Sequence, residues 1–278
     1  MKITPDESPA ARPPDLFLAR LHAGRLWKTL RRVTFLRSGL YFFLELRRAL
    51  REEQAQQEVT RLLLSRNDPW YYETSSSEHE RFARQTAMLD SLSGGHLFEN
   101  GLEVGCSEGW YTQALAERCR SLLALDLSPH ALARARNRRK WAGRVCFEQF
   151  DLRRESLPGG FDLIVIAGVL ECMPNPLTIR HIRRKLVDAL QTGGYLMVET
   201  TRQTGAEALL ESSWWSRLLL RGKWINQFIM RHPLLRPVCS VETDGYVIDL
   251  CRKSGSDRDL RGLSRRKFTY RANSSLRP

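Results

Sequence analysis

The chain has 278 residues, 42% of them hydrophobic, and carries 44 lysines and arginines against 31 acids for a formal charge of +13. This length and apolar content suit one large folded domain with an extension, and exclude a fibrous or wholly disordered chain. Six cysteines stand far apart with no CxxC pair, which argues for a reducing compartment and against structural zinc.

The opening stretch "MKITPDESPAARPPD" carries prolines and acids where a secretory leader needs a basic start and an apolar run, so a cytoplasmic location is expected. Residues 1–14 read as disordered. Between Leu16 and Leu64, large apolar residues recur at helical spacing among arginines and glutamates. The patch "LYFFLEL" is too short and too charged to span a bilayer. This helical extension is expected to dock on the main domain; a second copy of the chain, giving a homo-oligomer, or a membrane surface are the alternatives. Much of the positive charge lies at the ends, with 10 basic against 4 acidic residues in 1–50 and 9 against 2 in 252–278. No zinc finger or repeated basic-aromatic pattern accompanies it, so a solvated or packed surface is preferred over nucleic-acid binding.

"NDPWYYETSSSEHE" at 67–80 reads as a linker that caps a helix, with Ser75, Ser76 and Ser77 as N-cap candidates and the helix running from about Ser77 to Asp90. The main domain follows. "LFENGLEVGC" is a strand turning at Gly105, "WYTQALAERCR" a helix, "SLLALDLS" a strand, and "PHALARARNRRKW" a helix with proline in its first turn. "RVCFEQFDL" and "GFDLIVIAGVLECM" are strands, "LTIRHIRRKLVDAL" a helix, "QTGG" a turn and "YLMVETT" a strand. Strands alternating with helices predict an open, mostly parallel α/β sheet covered on both faces, with ligands beyond the carboxyl ends of the strands.

Gly105 and Gly109 alone could serve a nucleotide, a phosphate or an ordinary turn. Three acids at the ends of successive strands, Glu103, Asp126 and Asp151, favour the nucleotide. Asp126 lies 21 residues after Gly105, the offset of an acid that accepts from ribose hydroxyls. Asp151 and the backbone near Leu152 are placed to read an adenine. A pyrophosphate would be repelled by carboxylates at both 103 and 108, whereas a ligand with an amine and a sulfonium would be attracted. The electrostatics therefore favour S-adenosylmethionine over a nicotinamide dinucleotide.

The stretches "DPW" at 68–70, "HERFARQTAMLD" at 79–90, "LEVGCSEGWYTQALAERC" at 102–119, "LLALDLSPHALARARNR" at 122–138, "FDLIVIAGVL" at 161–170 and "GGYL" at 193–196 resemble class I S-adenosylmethionine-dependent methyltransferases. They resemble more closely the rhizobial nodulation N-methyltransferases of the NodS family, which methylate the free amine of a deacetylated chitooligosaccharide. The resemblance implies a Rossmann-like seven-stranded sheet and S-adenosylmethionine as cofactor. It places Gly105, Cys106 and Gly109 along the methionine part, Glu103 near its amine, Asp126 and Leu127 at the ribose, and Asp151 and Leu152 at the adenine. Arg81 and Trp70 match family positions without an assignable contact. Where the family commonly reads "AEVLYYL" this chain reads "AGVLECM", so Gly168 replaces a glutamate and Glu171 and Cys172 replace two tyrosines.

An ammonium acceptor must lose its proton before attacking a methyl group, which calls for a base or a desolvating pocket. Glu171 is the first candidate base, with His79 or Glu78 from the N-terminal cap next; Glu171 and His79 could be structural instead. Tyr71, Tyr72, Trp110 and Tyr111 offer aromatic faces for a small-molecule acceptor or a cationic centre. Trp214, Trp215, Trp224 and Phe228 suit an acceptor lid or a buried helix equally. An amine acceptor is expected, with the hydroxyl of a natural product as the alternative and a non-catalytic scaffold as a third reading. The "NPPY"-type tetrapeptide of base-flipping enzymes is absent where "AGVL" stands.

Overall fold

A computed structural model describes residues 66–139, 141, 143–173, 175–201, 222–243, 245–255 and 268–269. All belong to one compact unit, Ala49–Pro278. The expected disordered start and helical extension, the pair Trp214 and Trp215, and nearly all of the basic C-terminal tail lie outside the described residues.

The first described helix, α1 (Ser76–Ser93), is capped by Ser75, whose hydroxyl accepts the Glu78 N–H at 3.3 Å. It stops at Gly94 in the left-handed region, φ +55°. Then follow β1 (Phe98–Val104), α2 (Trp110–Ala116), β2 (Cys119–Asp126), α3 (Pro129–Arg138), β3 (Val145–Gln149) and β4 (Phe161–Ala167). A 3-10 turn (Leu170–Cys172) leads to α4 (Pro176–Ala189), β5 (Leu190–Thr201), α5 (Gly222–Met230), β6 (Leu235–Glu242), β7 (Tyr246–Lys253) and the two-residue β8 (Phe268–Thr269).

The sheet order is β3-β2-β1-β4-β5-β7-β6-β8. Pairing is parallel from β3 through β5, and β7 lies antiparallel between β5 and β6. This is the expected mostly parallel, seven-stranded, Rossmann-like arrangement with a short eighth strand at one edge. The strand order reverses between β1 and β4, and a crevice opens beyond the strand ends at such a switch.

Alternation along the central strands divides the core. Leu163, Val165 and Met197 pack with Met88 and Leu89 of α1 and Tyr111 and Leu115 of α2. Ile164, Ile166, Leu196 and Val198 pack with Ile179, Ile182 and Leu186 of α4 and Ile225 and Ile229 of α5. Both faces are therefore covered, and each fully buried aliphatic side chain contributes about 1.5–3 kcal/mol relative to exposure.

Two local expectations are corrected. Cys119 and Arg120, read as the end of a helix, begin β2. Cys119 pairs with Phe98 and is buried, and a Cβ on Gly101 would stand 2.5 Å from its Sγ. "QTGG" lies inside β5 as a bulge: pairing with β4 runs from Phe161↔Leu190 to Leu163↔Tyr195, and Gly193 takes up φ +85° within the shift. Among the described residues, no helix is long and apolar enough to cross a membrane.

Candidate functional site

At the reversal between β1 and β4, a cleft opens above the sheet, at the place where ligands of such sheets bind. Its floor is the turn from Glu103 to Ser107 with Val165 and Ala167 of β4. Trp110 and Tyr111 of α2 form one wall, and Tyr72, Arg81 and Phe82 face them. Tyr72, Phe82 and Tyr111 make a row of rings, with centroids 5.5 Å and 5.1 Å apart.

Gly105 is required at the turn. Its N–H donates to the Leu125 carbonyl at 2.7 Å, its φ is +82°, and a Cβ there would lie 2.2 Å from Val169 Cγ2. Gly109 closes the turn at φ +77° as the N-cap of α2. Between them Ser107, a non-glycine at φ +48°, has its N–H held by Asp126 Oδ2 at 2.8 Å. The other Asp126 oxygen accepts the Ser128 N–H at 2.8 Å. Asp126 thus braces the cleft from behind without lining it, and burial raises its carboxyl above the ordinary range against the pull of those N–H groups.

Glu103 is the acid that faces the opening. It is 4% exposed, and its Oε2 has no hydrogen-bond partner. Burial pushes its carboxyl up to about 8; the Thr112 hydroxyl opposes this and the nearby Asp126 adds to it. Ser107 Oγ and the Trp110 Nε1–H are likewise buried without partners on the same cleft. Unsatisfied buried polar groups are costly, so their convergence marks a place built for a polar ligand. Cys106 lines the turn too, its thiol held protonated by burial.

The remaining expected site residues fall elsewhere. Leu127 is half-buried just past Asp126, with its carbonyl accepting from Gln149 Nε2 at 3.2 Å. Asp151 is gripped by Arg153 through contacts of 3.1 and 2.9 Å, and Leu152 is in the core. Tyr71 is exposed and, unlike Tyr72, does not line the cleft. His79 is on the exposed face of α1, where its Nε2–H donates to the Tyr72 carbonyl at 2.6 Å. Glu171 is buried beside the cleft and does not line it; its Oε1 accepts from the Thr201 N–H at 3.2 Å and hydroxyl at 2.9 Å, and its Oε2 has no partner. The expectation that Glu108 adds negative charge to the cleft is corrected. Its carboxylate pairs with Arg134 at 2.8 Å and Arg138 at 3.3 Å, outside the lining.

The structure adds a buried ionic cluster that sequence reasoning did not assemble. Arg81, only 6% exposed, contributes to the cleft wall. It donates to Glu199 Oε2 at 2.5 Å and pairs with Glu78. Glu199 is fully buried with Oε1 unpartnered, and burial together with neighbouring Glu171 raises its carboxyl against the pull of Arg81. Three carboxylates, Glu78, Glu171 and Glu199, therefore gather around one guanidinium. Arg81, Gln85, Met88 and Leu89 form the buried face of α1; a charged residue on that apolar stripe was the available signal.

Residues 52–211, more than half the chain, match the family model described as Nodulation protein S (NodS). Nodulation protein S of Sinorhizobium fredii NGR234 is 36% identical over 134 residues, covering 48% of this chain and 61% of the relative. The protein of the same name from Rhizobium tropici is 32% identical over 156 residues, covering 53% and 64%. The chain thus spans a little over three fifths of the length of these curated relatives. The crystal structure of N-methyltransferase NodS from Bradyrhizobium japonicum WM9 with S-adenosyl-L-homocysteine superposes with a TM-score of 0.58 at 26% identity, covering 73% of this chain and 98% of that one. With its strand order, its glycine turn and more than half of its length matching one family, the chain belongs to the Nodulation protein S (NodS) family.

Proposed function

We propose that the protein is an S-adenosylmethionine-dependent methyltransferase acting on an amine of a small molecule, with an aminosugar oligomer as the leading acceptor class. The observation that carries this reading is the cleft at the β1/β4 reversal, where the buried Glu103 carboxyl, its Oε2 unpartnered, meets the glycine turn. Glu103 suits the cofactor's ammonium and disfavours a pyrophosphate. Asp126, with one backbone N–H on each oxygen, keeps lone pairs for ribose hydroxyls. Asp151 would read the adenine once its fork with Arg153 admits it. When bound, the cofactor supplies an electrophilic methyl on a sulfonium.

The protein's part in such a displacement is alignment and a nucleophile lone pair. The acidic excess around Arg81 attracts an ammonium, and the Tyr72, Phe82, Trp110 and Tyr111 rings strip it of water. Desolvation disfavours the charged form, so the ammonium gives its proton to bulk water as it enters the cleft and the free amine lone pair is left for attack. Glu171 and Glu199 act here through the field they set and the position of Arg81, while His79 fixes Tyr72 through its carbonyl. Six free thiols fit a cytoplasmic enzyme.

Calorimetric titration tests the cofactor half of the reading. S-adenosylmethionine and S-adenosylhomocysteine are expected to bind, and Asp126→Ala to weaken both by about 10- to 100-fold, the loss of charge-assisted hydrogen bonds. Tight binding of NAD with none of S-adenosylmethionine would refute it.

A further inference from the structure

Glu108 lies within the glycine turn, 2% exposed, with its side chain directed away from the cleft lining. Its Oε1 accepts the Asp68 N–H at 2.7 Å and Arg134 Nε at 2.8 Å, and its Oε2 accepts Arg138 Nη2 at 3.3 Å. Its own carbonyl accepts Arg138 Nε at 2.8 Å. The Arg138 guanidinium is 3.7 Å from the centre of the Trp110 ring, so one cation both neutralises Glu108 and backs a wall of the cleft.

On the other side of this contact, Asp68 organises the turn that enters α1. Its Oδ1 accepts the Tyr72 N–H at 2.7 Å and its Oδ2 the Glu73 N–H at 2.9 Å. Asp68 and Tyr71 both sit in the left-handed region, at φ +41° and +57°. Such backbone persists only where surroundings over-determine it, and here the Asp68 carboxylate and Glu108 do so. The turn delivers Tyr72 into the cleft against Phe82. We propose that Glu108 is a positioning residue that suspends the turn 68–73 from the glycine turn 105–109, holding Tyr72 and Trp110 in place as the two walls between which an acceptor enters.

This inference rests on the methyltransferase reading for its catalytic consequence, though the attachment itself can be read without any ligand. In the full-length Glu108→Gln protein, ligand-free amide hydrogen exchange at 71–73 is expected to quicken about tenfold or more, while β1 and β4 keep their rates. Affinity for S-adenosylmethionine should stay within about threefold, and KM for a glucosamine oligomer should rise about tenfold with a much smaller change in kcat, since the wall is displaced and the cofactor contacts are kept. Glu108→Asp keeps the charge facing Arg134 and Arg138 but draws the carboxylate back from the Asp68 N–H. It should reproduce the faster exchange and the KM effect, and it decides the matter if Glu108→Gln does not fold. Unchanged exchange at 71–73, or equal acceleration in β1 and β4, would overturn the proposal. A wild-type protein that binds no S-adenosylmethionine would refute the proposed function instead, and the ligand-free exchange would still decide the attachment.

Discussion

Replacing Glu103 by glutamine is expected to separate stability from ligand affinity. In the native protein burial pushes the Glu103 carboxyl up to about 8, against 4.5 for an exposed glutamate. Between those values the folded state holds a proton that the unfolded state releases, so folding is progressively weakened as pH rises through this range. Glu103→Gln removes that dependence. The variant should melt near the wild-type temperature at low pH and above it at about pH 9, where the wild type carries a desolvated charge. At about pH 9, where the wild-type carboxylate is charged, affinity for S-adenosylmethionine should nevertheless fall about 10- to 100-fold through loss of a charged acceptor. Thermal melts at several pH values with parallel titrations read both effects, and identical pH profiles for the two proteins would contradict the assignment.

The Arg81 cluster should show the opposite pattern. Arg81→Met leaves Glu199 and Glu171 buried without the guanidinium that faces them. Removing one partner of a buried pair costs about 3–5 kcal/mol, and that loss is expected in full at slightly alkaline pH. It should shrink at about pH 5, where carboxyls raised by burial take up protons and no longer need a counter-charge. Adding Glu199→Gln to Arg81→Met should restore part of the stability. Urea unfolding at two pH values measures the difference, and a small, pH-independent loss would show that the three carboxylates are balanced by other groups.

The local signals that reached the sequence correctly were those whose cause lies within a few residues. Ser75 caps α1, Pro129 opens α3, and Gly105 and Gly109 mark a turn because only backbone at positive φ makes it. The rule of acids at strand ends located Glu103 and Asp126. Applied to "YLMVETT", it would have found Glu199 as well, since that acid ends an otherwise apolar row on β5. What escaped depends on partners remote in the chain. Glu108 sits beside Glu103 on the turn, yet its surroundings are set by Arg134 and Arg138, one and two turns further along α3, and by Asp68. The pairing of Cys119 with Phe98 likewise overrides a continuous helical pattern. Glu171 follows β4 directly, but the 3-10 turn carries it toward Thr201 rather than into the cleft.

The cleft lined by Glu103 and Arg81 is proposed to transfer a methyl group to an amine. Its most direct test is mass spectrometry of acceptors incubated with the protein and S-adenosylmethionine carrying a deuterated methyl group, with glucosamine oligomers, polyamines and their hydroxyl counterparts in separate reactions. A glucosamine oligomer should gain the labelled methyl on nitrogen, with S-adenosylhomocysteine formed in equal amount and both products reduced about 10- to 100-fold in Asp126→Ala at limiting cofactor. Transfer only to hydroxyl acceptors, or no transfer by a protein shown to bind the cofactor, would contradict it.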